Sequence, residues 1–141
     1  KAHPFNKYGK VEAEIVGGNL SILYSLLGSE SDVNTDGKIL LIEDLDEYLY
    51  HIDRMMMNLK RSGKLDNLRG MIVGGMSDMN DNDIPFGKTA DEIILQHTKD
   101  YDFPICFGFP TGHLNDNRTI VFGVKSLLEI SAKKVRLTYP Y

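Results

Sequence analysis

Apolar and polar residues alternate through Val11, Glu12, Ala13, Glu14 and Ile15, the two-residue period of a half-buried strand. Gly17-Gly18 follows, then Asn19, a run from Leu20 to Leu27 with apolar residues at helical spacing, and Gly28. An asparagine cap in front and a glycine behind predict a short helix, entered from the strand through a glycine turn. After Asp36-Gly37, the run Lys38-Ile39-Leu40-Leu41-Ile42-Glu43 is continuously apolar until it ends in acid, the pattern of a strand buried on both faces. Tyr48, Leu49, Ile52, Met55, Met56 and Leu59 then recur at three- and four-residue steps as far as Lys60-Arg61-Ser62-Gly63. This is the longest predicted helix, with a basic last turn that suits its negative end and a glycine for the left-handed cap. Asp44 and Asp46 are expected to cap it, and Asp53 and Arg54 to pair on its surface.

Residues 70–75 predict another strand, and 76–87 a polar loop. Thr89-Ala90-Asp91-Glu92 is a capping box opening a helix through about Thr98. Residues 103–107 form an apolar strand-length run, and 119–124, 127–130 and 134–138 predict β-ribbons. The chain thus runs strand–helix three times and ends in antiparallel strands. The expected class is α/β, with a mainly parallel central sheet and additional antiparallel strands at the C-terminal end.

If the strands ending at Ile42, Val73 and Phe107 are parallel and joined by right-handed crossovers, their carboxyl ends share one edge. Open α/β sheets assemble their sites there. Glu43, residues 74–78 and His113, in Gly108-Phe109-Pro110-Thr111-Gly112-His113, converge on that edge. A carboxylate that accepts the proton of one imidazole nitrogen fixes the tautomer and stabilises the imidazolium formed when the other nitrogen takes a proton, so Glu43 and His113 fit an orienter and a base. A strand-end carboxylate followed by another acid also serves as a helix cap, and the pattern leaves both roles open. Gly17-Gly18-Asn19 before a helix is either an anion cradle of backbone amides or a tight structural turn. Ser21 and Ser25 fall in a short helix, and Ser77 lacks the strained strand-to-helix elbow that exposes a nucleophile, so none is expected to act as one.

Composition narrows the partners. The chain has 141 residues, a formal net charge of −4 and 16 basic residues spread along its length, which excludes an electrostatic footprint for nucleic acid or an anionic membrane. The single cysteine, Cys106, excludes disulfide frameworks and thiolate-rich metal sites, and no apolar run approaches a membrane span. Asp78, Asn80, Asn82 and Asp83 imitate a calcium loop, but Asp83 stands where an EF-hand needs glycine and Thr89 where it needs glutamate. No metal and no cofactor are expected.

Together, Val16-Gly17-Gly18-Asn19-Leu20-Ser21, Leu40-Leu41-Ile42-Glu43-Asp44, Tyr50-His51-Ile52-Asp53-Arg54-Met55 and Gly108-Phe109-Pro110-Thr111-Gly112-His113 resemble the LD-carboxypeptidase family over residues 9–124. Members are serine peptidases whose serine lies in an amino-terminal domain while glutamate and histidine come from the carboxyl-terminal one. The resemblance implies a swivelling β/β/α-type domain at residues 11–141, preceded at 1–10 by the remnant of a linker. It implies His113 as general base, Glu43 as orienting carboxylate with Glu47 the less favoured choice, and no nucleophile in this chain. It also implies substrate contacts at Gly17, Gly18 and Asn19.

The activity implied is release of terminal D-alanine from murein tetrapeptide, in the cytoplasm during cell-wall recycling, with this domain inactive alone. The partners implied are the chain's own amino-terminal domain, the murein peptide and, as a candidate, a second copy in a homodimer. The alternatives are a microcin-type peptidyl-nucleotide hydrolase of the same family, a swivelling phosphohistidine carrier built on Thr111-Gly112-His113, and a binding domain without chemistry.

Overall fold

A strand whose residues are apolar on both faces needs cover on both, and the arrangement around the central strands supplies it. The computed structural model describes residues 2–140. Strands β1 (Gly9–Asn19), β2 (Ile39–Leu45), β3 (Gly70–Ser77) and β4 (Ile105–Cys106) are joined through helices α1 (Leu20–Ser25), α2 (Leu49–Arg61) and α3 (Ala90–Thr98). Strands β5 (Lys125–Ile130) and β6 (Val135–Thr138) complete a six-stranded sheet of order β4-β3-β2-β1-β5-β6. Strands β1 to β4 are parallel, β5 runs antiparallel to β1, and β6 antiparallel to β5. The expected fold class is the one observed.

The two-residue alternation of β2 sends Leu40 and Ile42 into one core and Ile39 and Leu41 into another. The first core packs the sheet against Ile52, Met55, Met56 and Leu59 of α2 and Ile93 and Ile94 of α3, the stripe that the helical spacing marked out. The second holds Ala13, Ile15, Ile72, Leu128, Ile130 and Cys106, whose burial pushes its thiol up to about 12. Each isoleucine, leucine or methionine side chain among these, fully buried, stabilises the fold by about 1.5–3 kcal/mol.

Several local expectations need correcting. Gly17 and Gly18 are not a turn: β1 runs through them to Asn19, with Gly17 paired to Leu41 and Gly18 to Ile42. Their φ angles are 121° and 145°, and a Cβ on Gly17 would stand 2.1 Å from the Leu41 carbonyl oxygen. Glycine is there because two backbones meet without room for a side chain. Within the stretch expected to be linker, Lys7 makes an isolated bridge to Ile105, and Gly9 and Lys10 begin β1, paired with Ile130 and Glu129.

Of residues 103–107, only Ile105 and Cys106 are strand. Pro104 has no N–H to give, and the Phe107 N–H goes to Asn6 Oδ1 at 2.8 Å. The run 119–124 forms no strand either. The Tyr139 hydroxyl ties it down by accepting from the Val121 N–H and donating to the Thr119 carbonyl.

The helix caps are also rearranged. Helix α2 starts after Tyr48 without a side-chain cap. Asp44 serves α1 instead, accepting from the Ser21 N–H at 3.0 Å and the Asn19 amide at 3.1 Å. Asp46, at φ 57°, accepts from Asn80 Nδ2. Asp53 pairs with His97 Nε2 at 2.7 Å, while Arg54 lies over the Tyr50 ring, so the expected Asp53–Arg54 pair is absent among the described residues. Among those residues no helix is long and apolar enough to cross a membrane.

Candidate active site

Glu43 owes its position to a bulge. On β2 a single residue separates Ile42 from Asp44, whereas on β3 two residues, Gly74 and Gly75, separate their partners Val73 and Met76. An extra residue on one strand breaks the ladder and re-aims the side chain opposite. Gly74 also has no space for a Cβ, which would meet the Thr111 carbonyl oxygen at 2.6 Å and Glu43 Cβ at 3.3 Å. Glu43 is thereby buried at the rim, with its carboxylate turned toward the loop that follows β4.

That loop is held by its backbone. The Phe109 N–H donates to the Val73 carbonyl at 3.0 Å, the Gly75 N–H to the Thr111 carbonyl at 2.9 Å, and the Arg118 N–H to the Pro110 carbonyl at 2.8 Å. Asn117 Oδ1 accepts from the Gly112 N–H, and the Ser77 hydroxyl donates to the His113 carbonyl at 2.8 Å. Gly112 has φ 107°, and a Cβ there would sit 2.9 Å from Glu43 Oε2. The glycine lets the loop close directly over the carboxylate.

The result is a pair 70 residues apart in sequence, with His113 Nδ1 2.8 Å from Glu43 Oε2. The glutamate side chain is 10% exposed and the histidine 49%. An ionised carboxylate only accepts hydrogen bonds, so Nδ1 is the donor, and in the neutral ring it is Nε2 that presents a lone pair. Nε2 has no hydrogen-bond partner among the described residues. Chemically, the pair can take a proton at Nε2 and balance the resulting charge from below.

The other candidates are placed elsewhere. Glu47 accepts from the Ser21 hydroxyl at 2.9 Å and pairs with His51 Nδ1 at 2.8 Å, so the carboxylate on His113 is that of Glu43. The same Ser21 hydroxyl, with a single hydrogen to share, also lies 2.7 Å from Asp44 Oδ2; Ser25 donates to the Ile22 carbonyl and Ser77 to backbone, and none bonds the His113 ring. Asn19 lies beside Glu43 in register, but its amide is spent on the Ile22 N–H and on Asp44. Gly18 faces open space at the same rim. No group of three or more His, Cys, Asp or Glu side chains that could hold a metal occurs among the described residues.

A family model described as LD-carboxypeptidase C-terminal domain matches residues 12–128. The chain belongs to that family. This LD-carboxypeptidase domain is 38% identical over 129 residues to the probable murein peptide carboxypeptidase of Bacillus subtilis, covering 89% of the chain and 39% of the relative. It is 30% identical over 135 residues to the microcin C7 self-immunity protein of Escherichia coli, covering 94% of the chain and 38% of that protein. The crystal structure of muramoyltetrapeptide carboxypeptidase from Oxalobacter formigenes superposes with a TM-score of 0.86 at 28% identity, covering 99% of this chain and 49% of that one. The chain thus spans about two-fifths of the length of the curated relatives it matches.

Residues 74–78 stand at the rim where the sequence placed them, but the roles of Gly74 and Gly75 in the bulge and of Ser77 under His113 were not read from it, nor was Asn117 across the turn of the LD-carboxypeptidase loop. A Gly-Gly pair closing an apolar strand was the available signal for the bulge. Ser77 and Asn117 carry no local signal, because their partners belong to a different segment or to the fold of the loop itself.

Proposed function

We propose that this domain supplies the histidine and glutamate of a Ser-His-Glu triad in a serine carboxypeptidase that releases the terminal D-alanine of murein tetrapeptide. The observation that carries the reading is the 2.8 Å contact from Glu43 to His113 Nδ1, which leaves the second nitrogen of a half-exposed ring open at the rim. The identity to a murein peptide carboxypeptidase supports the substrate, and exceeds that to the microcin self-immunity protein.

In this mechanism His113 Nε2 takes the proton of a serine hydroxyl contributed by another domain as the oxygen attacks the carbonyl preceding D-alanine. Glu43 stabilises the imidazolium. His113 then gives the proton to the leaving amine as the C–N bond breaks, freeing D-alanine and leaving an acyl-serine. A water molecule, deprotonated by the same nitrogen, hydrolyses that ester and restores the serine. The open space at Gly18 gives the peptide backbone room to approach. The reaction is assigned to the cytoplasm, on peptides returned from the cell wall. Full-length protein incubated with murein tetrapeptide is expected to yield tripeptide and D-alanine, measured by chromatography, while residues 1–141 alone yield none. Turnover by the isolated domain, or none by the full-length protein, would contradict the assignment.

A further inference from the structure

Strand β4 has β3 on one side only, and the N–H groups of Ile105 and Phe107 face the other. Both residues are buried, so those donors need partners other than water. Residues 3–7 supply them. The Lys7 carbonyl accepts from the Ile105 N–H at 3.2 Å, the Lys7 N–H donates to the Ile105 carbonyl at 2.9 Å, and Asn6 Oδ1 accepts from the Phe107 N–H at 2.8 Å.

The segment is shaped for this before it reaches the strand. The Asn6 N–H donates to the His3 carbonyl at 3.1 Å, closing a turn with Pro4 at the position whose φ proline presets. The turn lays the His3 ring against that of Phe107, with centroids 5.4 Å apart, and sets the Phe5 ring edge-on to it at 5.9 Å. His3 Nε2 also stands 3.4 Å from Asp91, so the turn is tied to α3 as well as to β4. Asn6 keeps its place at a cost, because its Nδ2 is buried without a hydrogen-bond partner. What the residue contributes is the acceptor. Phe107, which it holds, is where the strand becomes the His113 loop: Gly108 follows at φ 66°, and the Phe109 N–H goes to Val73. Strand β3 and the loop's own residues hold the loop from one side, and Asn6 holds its start from the other.

We propose that residues 3–7 are a splint between the two halves of the active site. The segment leading from the domain that bears the serine is fastened to the root of the His113 loop, and Asn6 is the positioning residue that keeps Nε2 in register with the serine hydroxyl. The inference rests on the peptidase reading, which puts that serine outside this domain. Asn6 acts through Phe107 and touches no reacting atom. A displacement of about 1 Å at the base is enough to slow turnover by up to about 10^2-fold.

The test compares Asn6→Leu, which removes the acceptor at similar volume, with Asn6→Asp, which keeps it, in the full-length protein acting on murein tetrapeptide. Active sites are counted from the end-point of fluorophosphonate labelling, so that kcat is read per competent site and a general loss of folded protein does not move it. Both variants should lower the thermal midpoint, the first by leaving the Phe107 N–H unpaired and the second by burying a carboxylate oxygen without a donor. Only Asn6→Leu should lower kcat, by on the order of 10- to 100-fold with KM within about threefold, while Asn6→Asp stays within about threefold of wild type in both. A kcat per site unchanged in Asn6→Leu, or falling as far in Asn6→Asp as in Asn6→Leu, would overturn the inference while the peptidase reading stands. Should Asn6→Asp fail to fold, kcat per site in the leucine variant alone decides. Wild-type protein without turnover would overturn both.

Discussion

His113→Ala in the full-length protein is expected to lower kcat/KM for D-alanine release by on the order of 10^4 or more, since base, proton donor and electrostatic partner are lost together. The fold should survive the change. His113 is half exposed, and its loop is fixed by backbone hydrogen bonds and by the Ser77 and Asn117 side chains, none of which involves the imidazole. What the alanine does leave behind is a buried Glu43 carboxylate without its donor, worth about 1–3 kcal/mol of stability. His113→Gln, whose amide can still donate to Glu43, separates the two effects: turnover should be as low as in the alanine variant, with a thermal midpoint closer to wild type. Glu43→Gln should cost on the order of 10^2 to 10^4 in kcat, because an amide that donates to Nδ1 puts the imidazole proton on Nε2. Turnover within a few fold of wild type for His113→Ala would remove the histidine from the chemistry.

Gly17→Ala is expected to produce the largest loss of stability. Three atoms crowd the position a Cβ would take: the Leu41 oxygen at 2.1 Å, and its carbonyl carbon and amide nitrogen at 3.0 Å each. All are backbone of β2, which is paired on both sides and cannot withdraw. Overlap of that kind, added to a φ of 121° that L side chains rarely adopt, should cost about 4 kcal/mol or more. For a domain of this size that corresponds to a fall in Tm of roughly 10–20 °C. Gly18→Ala provides the control. Its φ is equally unfavourable at 145°, but no atom lies within 4 Å of the added carbon, so only about 1–2 kcal/mol is expected. Denaturant titrations of the two variants should therefore separate clearly. Equal losses would mean that backbone strain, and not the approach of Leu41, sets the requirement for glycine.

Features specified within a few residues of one another were readable in the sequence. The apolar run of β2, the three-and-four spacing of α2 and the Asn19 cap each depend on neighbours along the chain, and each stands where its pattern placed it. The meeting of Glu43 with the His113 loop followed from one further assumption, that successive strands are parallel and end on one edge. Contacts between distant segments were not readable. Gly17-Gly18 looks like a turn until the Leu41 carbonyl is known to lie against it. Asp44 looks like a cap for the helix that follows, yet the first turn of α1, packed beside the end of β2, offers its N–H groups first. Residues 119–124 have the composition of a strand, but the Val121 N–H and the Thr119 carbonyl are taken by Tyr139 from beyond β6. In each case a partner many residues away decided between two locally reasonable structures.

The central claim is that His113 and Glu43 form half of an active site whose serine lies outside these 141 residues. Labelling of full-length protein with a fluorophosphonate, followed by peptide mass spectrometry, tests it directly. The adduct is expected on a single serine outside residues 1–141, with the labelling rate lowered by about 10^2-fold or more in His113→Ala. An adduct on Ser21, Ser25 or Ser77, or labelling that proceeds equally well without His113, would contradict it.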